Sequence, residues 1–154
     1  LLPPVLEELH KGGVRDKDIT VVFGLGSHRS HTPEEQARLA GAEVYRSIRC
    51  VDSDPTKVSL IGHTSRGTPV SIFEPVLEAD VRVCLGGIEY HYFVGYSGGY
   101  KAIVPGSRLT TPATICTGEL ACCLRSFDIR CKTTVSIYPP NLETKLHSSL
   151  SVIR

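Results

Sequence analysis

Residues 18–28 read DITVVFGLGSH, and the run from Ile19 to Phe23 is β-branched and aromatic, without polar alternation, and closed by glycine. A strand with one wet face alternates apolar and polar residues, whereas a strand covered on both faces, as in a parallel sheet, is apolar throughout. A second run, VRVCLGGI, spans residues 81–88, apolar but for Arg82, and ends in Gly86 and Gly87. Between them HTPEEQARLAGAEVYRSI, residues 31–48, predicts a helix: Thr32 is an N-cap, Pro33 fits the first helical position, and Glu34 and Glu35 sit in the first turn where the helix dipole favours acids. Strand, loop, helix and a later buried strand predict an α/β fold, a Rossmann-like, mostly parallel sheet with flanking helices.

Working outward, PVLEELH at 4–10 has Val5, Leu6 and Leu9 at helical spacing, and Gly12-Gly13 ends that segment. TKVSLIGHTSRGTPVSIF gives two short strands at about 57–62 and 68–73 around a Ser-Arg-Gly turn, a hairpin pattern. EPVLEAD, 74–80, reads as a short helix or turn.

The 154 residues suit one domain able to bury roughly two thirds of its unfolded surface. A formal charge of +1 leaves no basic field to attract nucleic acid or an anionic membrane surface, so small molecules or protein surfaces are the expected partners. No apolar run approaches the ~20 residues of a membrane helix, and LLPPVLEELHKGG lacks the order of a signal peptide, which together predict a cytoplasmic protein. The six cysteines form no C-x-x-C pair and are expected as reduced thiols. Methionine is absent even at position 1, so sequence is expected ahead of Leu1.

Open α/β sheets bind ligands beyond the carboxyl ends of their strands, and here those ends lead into GSHR (26–29) and EYHYFVGYSGGYK (89–101). The second stretch is not a Walker A loop, because Tyr100 and Ala102 stand where glycine and Ser/Thr are needed. GLGSHR lacks the third glycine of a dinucleotide fingerprint. HRSH offers two imidazoles, fewer than a closed metal site requires, so His31, like His63, reads as a surface histidine. The ordinary reading of His28 is a loop histidine, and that of Lys101 a solvated lysine at a helix start.

FGLGSHRSHTPEE, LIGHTSRGTPV and IEYHYFVGYSGGYKAIVPG, in this order, resemble the amino-terminal domain of the nickel-dependent lactate racemase family over about residues 1–106. The resemblance implies a two-domain isomerase that racemises or epimerises a small 2-hydroxy acid, of which 1–106 is an incomplete amino-terminal cofactor-binding domain. It also implies a nickel-pincer nucleotide cofactor, a pyridinium mononucleotide that holds nickel through a ring carbon and two sulfurs and is joined to a lysine by a thioamide. By motif, His28 and His91 match the two acid/base histidines and Lys101 the cofactor-bearing lysine. Ser97, Gly98 and Gly99 would then line the nucleotide, glycine allowing close backbone approach and amides at a following helix start holding phosphate. The chemistry is consistent: hydride leaves a carbon whose hydroxyl proton must be taken, imidazole exchanges protons near neutrality, and two enantiomers call for two bases.

Two departures accompany the resemblance. The family's nickel-ligating histidine falls about sixteen residues after the lysine, where this chain has Thr117, so no residue here is assigned to the metal. After Gly106 the texture also changes: thirteen of the fourteen glycines lie at or before that residue, and residues 107–154 lack amphipathic period apart from a helix near 118–126 and a strand near 132–138. That tail reads either as a divergent sequence or as a shifted frame, and it is expected not to complete the sheet. Two functions follow, a racemase fragment or a catalytically inactive nucleotide- or partner-binding module.

Overall fold

Backbone amides and carbonyls of a buried strand need partners on both sides, and the arrangement that meets this need for the two apolar runs is one five-stranded sheet. The fold, a computed structural model, describes residues 1–26, 28–63, 67, 69–87, 89–91, 95–96, 99–103, 134–137 and 149–153. Along the chain these form α1 (Leu2–Lys11), β1 (Thr20–Gly24), α2 (Pro33–Ala40), α3 (Ala42–Ser47), β2 (Arg49–Asp52), β3 (Val58–His63), β4 (Pro69–Phe73), α4 (Glu74–Glu78) and β5 (Arg82–Leu85). There follow β6 (Tyr90–His91), β7 (Gly95–Tyr96), a 3-10 turn at Gly99–Ala102, β8 (Thr134–Ile137) and β9 (Ser149–Ile153).

The sheet order is β2-β1-β9-β5-β8. β1 pairs parallel with β2, β5 pairs parallel with β8, and β9 runs antiparallel to both β1 and β5. Four strands therefore point one way and β9 alone the other, which is the α/β, mostly parallel architecture the two apolar runs predict. The fully apolar pattern has its expected cause. Val21, Phe23, Val83 and Leu85 belong to a cluster with Leu2, Val5 and Leu6 of α1. Val22 and Cys84, pointing to the opposite face, belong to a second cluster with Ile72 and Phe73 of β4, Val76 of α4, and Ala102 and Ile103. Phe23 and Val21 have no exposed surface, so the alternation is between two buried faces rather than between core and water.

The 57–62 and 68–73 strands form the hairpin β3-β4, with an irregularity between Leu60 and Gly62. Arg82 closes α4: its Nε donates to Val76 O and its Nη2 to Leu77 O at 2.6 Å, satisfying carbonyls that a helix end leaves unpaired.

Two expectations need correction, and one strand has no counterpart among them. The helix over 31–48 is two helices, because Gly41, at φ 93°, leaves the helical region and serves as C-cap of α2 and N-cap of α3. β2 was not foreseen: RCVD is too short and too mixed to carry a period, and its strand state comes from pairing Thr20–Phe23 with Arg49–Asp52. The tail does enter the sheet. The strand expected near 132–138 is β8, and β9 fills the gap between β1 and β5, whose facing backbones would otherwise lack partners. The helix expected near 118–126 and Thr117 lie outside the described residues.

Candidate functional site

β1 delivers its chain end into a tied arch. Leu25 N–H donates to Ser53 Oγ at 3.0 Å, and Ser53 N–H donates back to Phe23 O at 2.9 Å, so the exit of β1 is bound to the exit of β2. A turn follows in which Gly26, at φ 58°, lets His28 N–H reach Leu25 O at 3.0 Å. His28 itself is exposed. Arg29 grips Glu35 in a two-pronged pair, Nη2 to Oε1 at 2.6 Å and Nη1 to Oε2 at 2.8 Å. Glu35 also closes the capping box of α2, accepting Thr32 N–H at 2.9 Å while Thr32 Oγ1 accepts Glu35 N–H at 3.3 Å. The Arg29 guanidinium and then the Thr32 amide hold the Glu35 carboxyl down to about 2.

The far end of the arch is His31, and here the sequence reading is corrected. His31 is not a surface histidine. Its backbone N–H donates to Asp52 Oδ2 at 2.7 Å and its ring Nδ1 lies 2.8 Å from Asp52 Oδ1, with only 18% and 13% of the two side chains exposed. A carboxylate offers only acceptors, so Nδ1 carries the proton. The ring meets Phe23 edge to face, centroids 5.5 Å apart. The missed signal was the acidic residue at the end of an unrecognised strand. His63, by contrast, is exposed at the end of β3 as expected.

Arch and β2 exit enclose an open cleft of about 490 Å³ lined by residues including Gly26, His28, Arg29, Asp52, Ser53 and Asp54. It lies beyond the carboxyl ends of two adjacent parallel strands, where α/β sheets hold ligands.

The second stretch leaves β5 at the same edge. β1 and β5 flank β9 in matching register: Thr20 and Arg82 both stand opposite Ile153, and Phe23 and Leu85 both stand opposite Leu150. The two chain exits are therefore level and roughly 10 Å apart, two strand spacings. After β5, His91 lies on β6, paired with Gly95 of β7. Gly99 opens the 3-10 turn and Lys101 sits within it, anchored by the buried Ala102 and Ile103 that follow. The helix start expected there is this one short turn. Lys101 is half-buried; burial lowers its pKa, with the Glu89 carboxylate pulling the other way. Ser97 and Gly98 lie outside the described residues. His28 thus follows the exit of β1, and His91, Gly99 and Lys101 follow the level exit of β5.

An amine kept less protonated by burial fits a lysine that is to be acylated or otherwise joined to a cofactor. Among the described residues there is no group of three or more His, Cys, Asp and Glu side chains able to hold an ion by themselves. No helix among them is long and apolar enough to cross a membrane.

The family described as lactate racemase N-terminal domain matches residues 1–115. The chain is 32% identical over 108 residues to a lactate racemase of Thermoanaerobacterium thermosaccharolyticum, covering 68% of this chain and 25% of that protein. It is 29% identical over 109 residues to a lactate racemase of Lactiplantibacillus plantarum, covering 69% and 26%. The solved structure of the lactate racemase apoprotein from Thermoanaerobacterium thermosaccharolyticum aligns with a TM-score of 0.62 at 32% identity, over 68% of this chain and 26% of the other. The chain spans about a quarter of the length of these relatives.

Proposed function

Because the chain belongs to the lactate racemase N-terminal domain family, we propose that it is a fragment of a racemase or epimerase of small 2-hydroxy acids. The observation that supports this reading is the level exit of β1 and β5: the stretches that carry His28 and His91–Lys101 each follow one of these two strand ends. In this reading Lys101 holds a nickel-pincer nucleotide, whose chemistry is to accept and return a hydride. Gly99, with Ser97 and Gly98, lines the nucleotide. His28, exposed in the cleft, and His91, arriving from the other strand, take or return the proton of the substrate's 2-hydroxyl, one for each enantiomer. Cys50 and Cys84 form no disulfide, which suits a reducing, cytoplasmic compartment.

Intact mass after incubation with the cofactor tests the lysine: an adduct on the wild type, absent from Lys101→Ala. Equal masses would sink the assignment. In enzyme that turns over, His28→Ala and His91→Ala should each lower the rate by on the order of 10²-fold. Near-normal rates from both enantiomers would remove that histidine from the mechanism.

Thr117, at the position of the family's metal-ligating histidine, favours a second reading, an inactive module that binds a nucleotide or a partner. An adduct on Lys101 without racemisation in either direction is its signature. Translation of the other frames downstream of codon 106 separates a slipped frame, which would restore an Asn-His pair about ten residues on, from genuine loss.

A further inference from the structure

We infer that Asp52 is the positioning residue for His28: its carboxylate pins the far end of the arch on which that histidine is carried. The inference rests on the racemase reading for the use of His28, but the geometry stands without it.

The arch runs from Leu25 to His31 and is tied at both ends to consecutive residues at the end of β2. Ser53 Oγ accepts Leu25 N–H at 3.0 Å at the near end, and Asp52 accepts His31 N–H at 2.7 Å and is bonded to His31 Nδ1 at 2.8 Å at the far end. Both far-end bonds involve an ionised acceptor, and the pair is mostly buried, so water competes poorly for it. Phe23, itself fully buried, supports the His31 ring edge to face. His28 stands between the pins. Its amide closes a turn onto Leu25, while its ring is exposed in the cleft, so the ring's position is inherited from the arch.

Removing the carboxylate frees one end only. The Ser53 bonds and the backbone pairing of β1 with β2 do not depend on the Asp52 side chain. The consequence should therefore be local, concentrated at His28 and not at β1. Asparagine offers a chemically distinct repair. Its Oδ1 can accept the His31 N–H and its Nδ2 can donate to Nδ1, restoring both bonds while forcing the ring proton onto Nε2.

Imidazole nitrogen NMR and amide hydrogen exchange on the 154-residue chain test this with wild type, Asp52→Ala, Asp52→Asn and His31→Ala. In Asp52→Ala, protection of the His28 amide should fall at least about tenfold and the His28 ring resonances should move, with the Val22 amide of β1 little changed. In Asp52→Asn, His28 should return to its wild-type behaviour while His31 changes tautomer. A folded Asp52→Ala with unchanged His28 signals would overturn the inference, as would an asparagine variant that behaves like the alanine one. Should Asp52→Ala not fold, His31→Ala decides: it removes the ring bond together with the ring's contact with Phe23 and leaves the backbone bond to Asp52, and His28 must still lose protection. These readouts need neither cofactor nor turnover. A missing adduct on Lys101 would defeat the racemase reading and leave them standing; unchanged His28 signals would defeat the positioning role and leave the adduct standing.

Discussion

Phe23 and Leu85 share one partner: both stand opposite Leu150, on the two sides of β9. The two buried strands of the amino-terminal region are joined through a strand from the other end of the chain. Every ladder bond between β1 and β5 passes through residues 149–153, so β9 supports the sheet and the level of the two site-bearing exits together.

Deleting residues 149–154 should therefore abolish cooperative unfolding rather than trim it, because two buried strand edges lose their partners at once. Thermal unfolding by circular dichroism checks this. A truncated chain that melts as sharply as the full one, at the same temperature, would mean that β9 contributes nothing to stability.

The Glu35 carboxyl gives an acid-side prediction. It is held at about 2, against an ordinary 4.5, first by Arg29 and then by the Thr32 amide. As pH falls through about 4.5 the unfolded chain takes a proton that the folded chain refuses until about 2. The stabilisation is thus complete above that window and lost as pH falls through it. Glu35→Gln should flatten the decline of melting temperature across this range. Because the pair is at the surface, the difference should shrink with added salt.

Arg82 is 93% buried, exposed only to 7%, and its guanidinium closes the carboxyl end of α4. Arg82→Ala should cost about 2–3 kcal/mol, since it leaves buried carbonyls unmet. Lysine should recover only part, because an ammonium lacks the planar fork that reaches two carbonyls. Denaturant midpoints of the three proteins decide it; equal midpoints for lysine and arginine would refute the fork.

Lys101 and Lys11 form an internal pair of opposites. Burial lowers the pKa of Lys101, while Glu8 and then Glu7 raise that of Lys11. The free amine at Lys101 should therefore appear at lower pH. Acetic anhydride labelling followed by peptide mass spectrometry should give a half-maximal rate at a lower pH for Lys101 than for Lys11. The reverse order would show that burial does not govern this amine.

What the sequence determined about this protein is whatever a local pattern encodes. Val21–Phe23 and Val83–Leu85 are apolar on both faces because each is covered twice, and Thr32 to Glu35 spell a helix start through bonds spanning three residues. The motif spacing likewise carried the family and the nominated residues His28, His91 and Lys101. Only the tertiary structure decided the rest. RCVD is a strand because β1 lies beside it, and 149–153 is a strand because two edges stood open around it. His31 meets Asp52 across 21 residues of chain, a bond with no periodic trace in sequence. Short-range hydrogen bonds and hydrophobic period are written in neighbouring residues, whereas strand insertion and buried ion pairs depend on which distant segments the fold brings into reach.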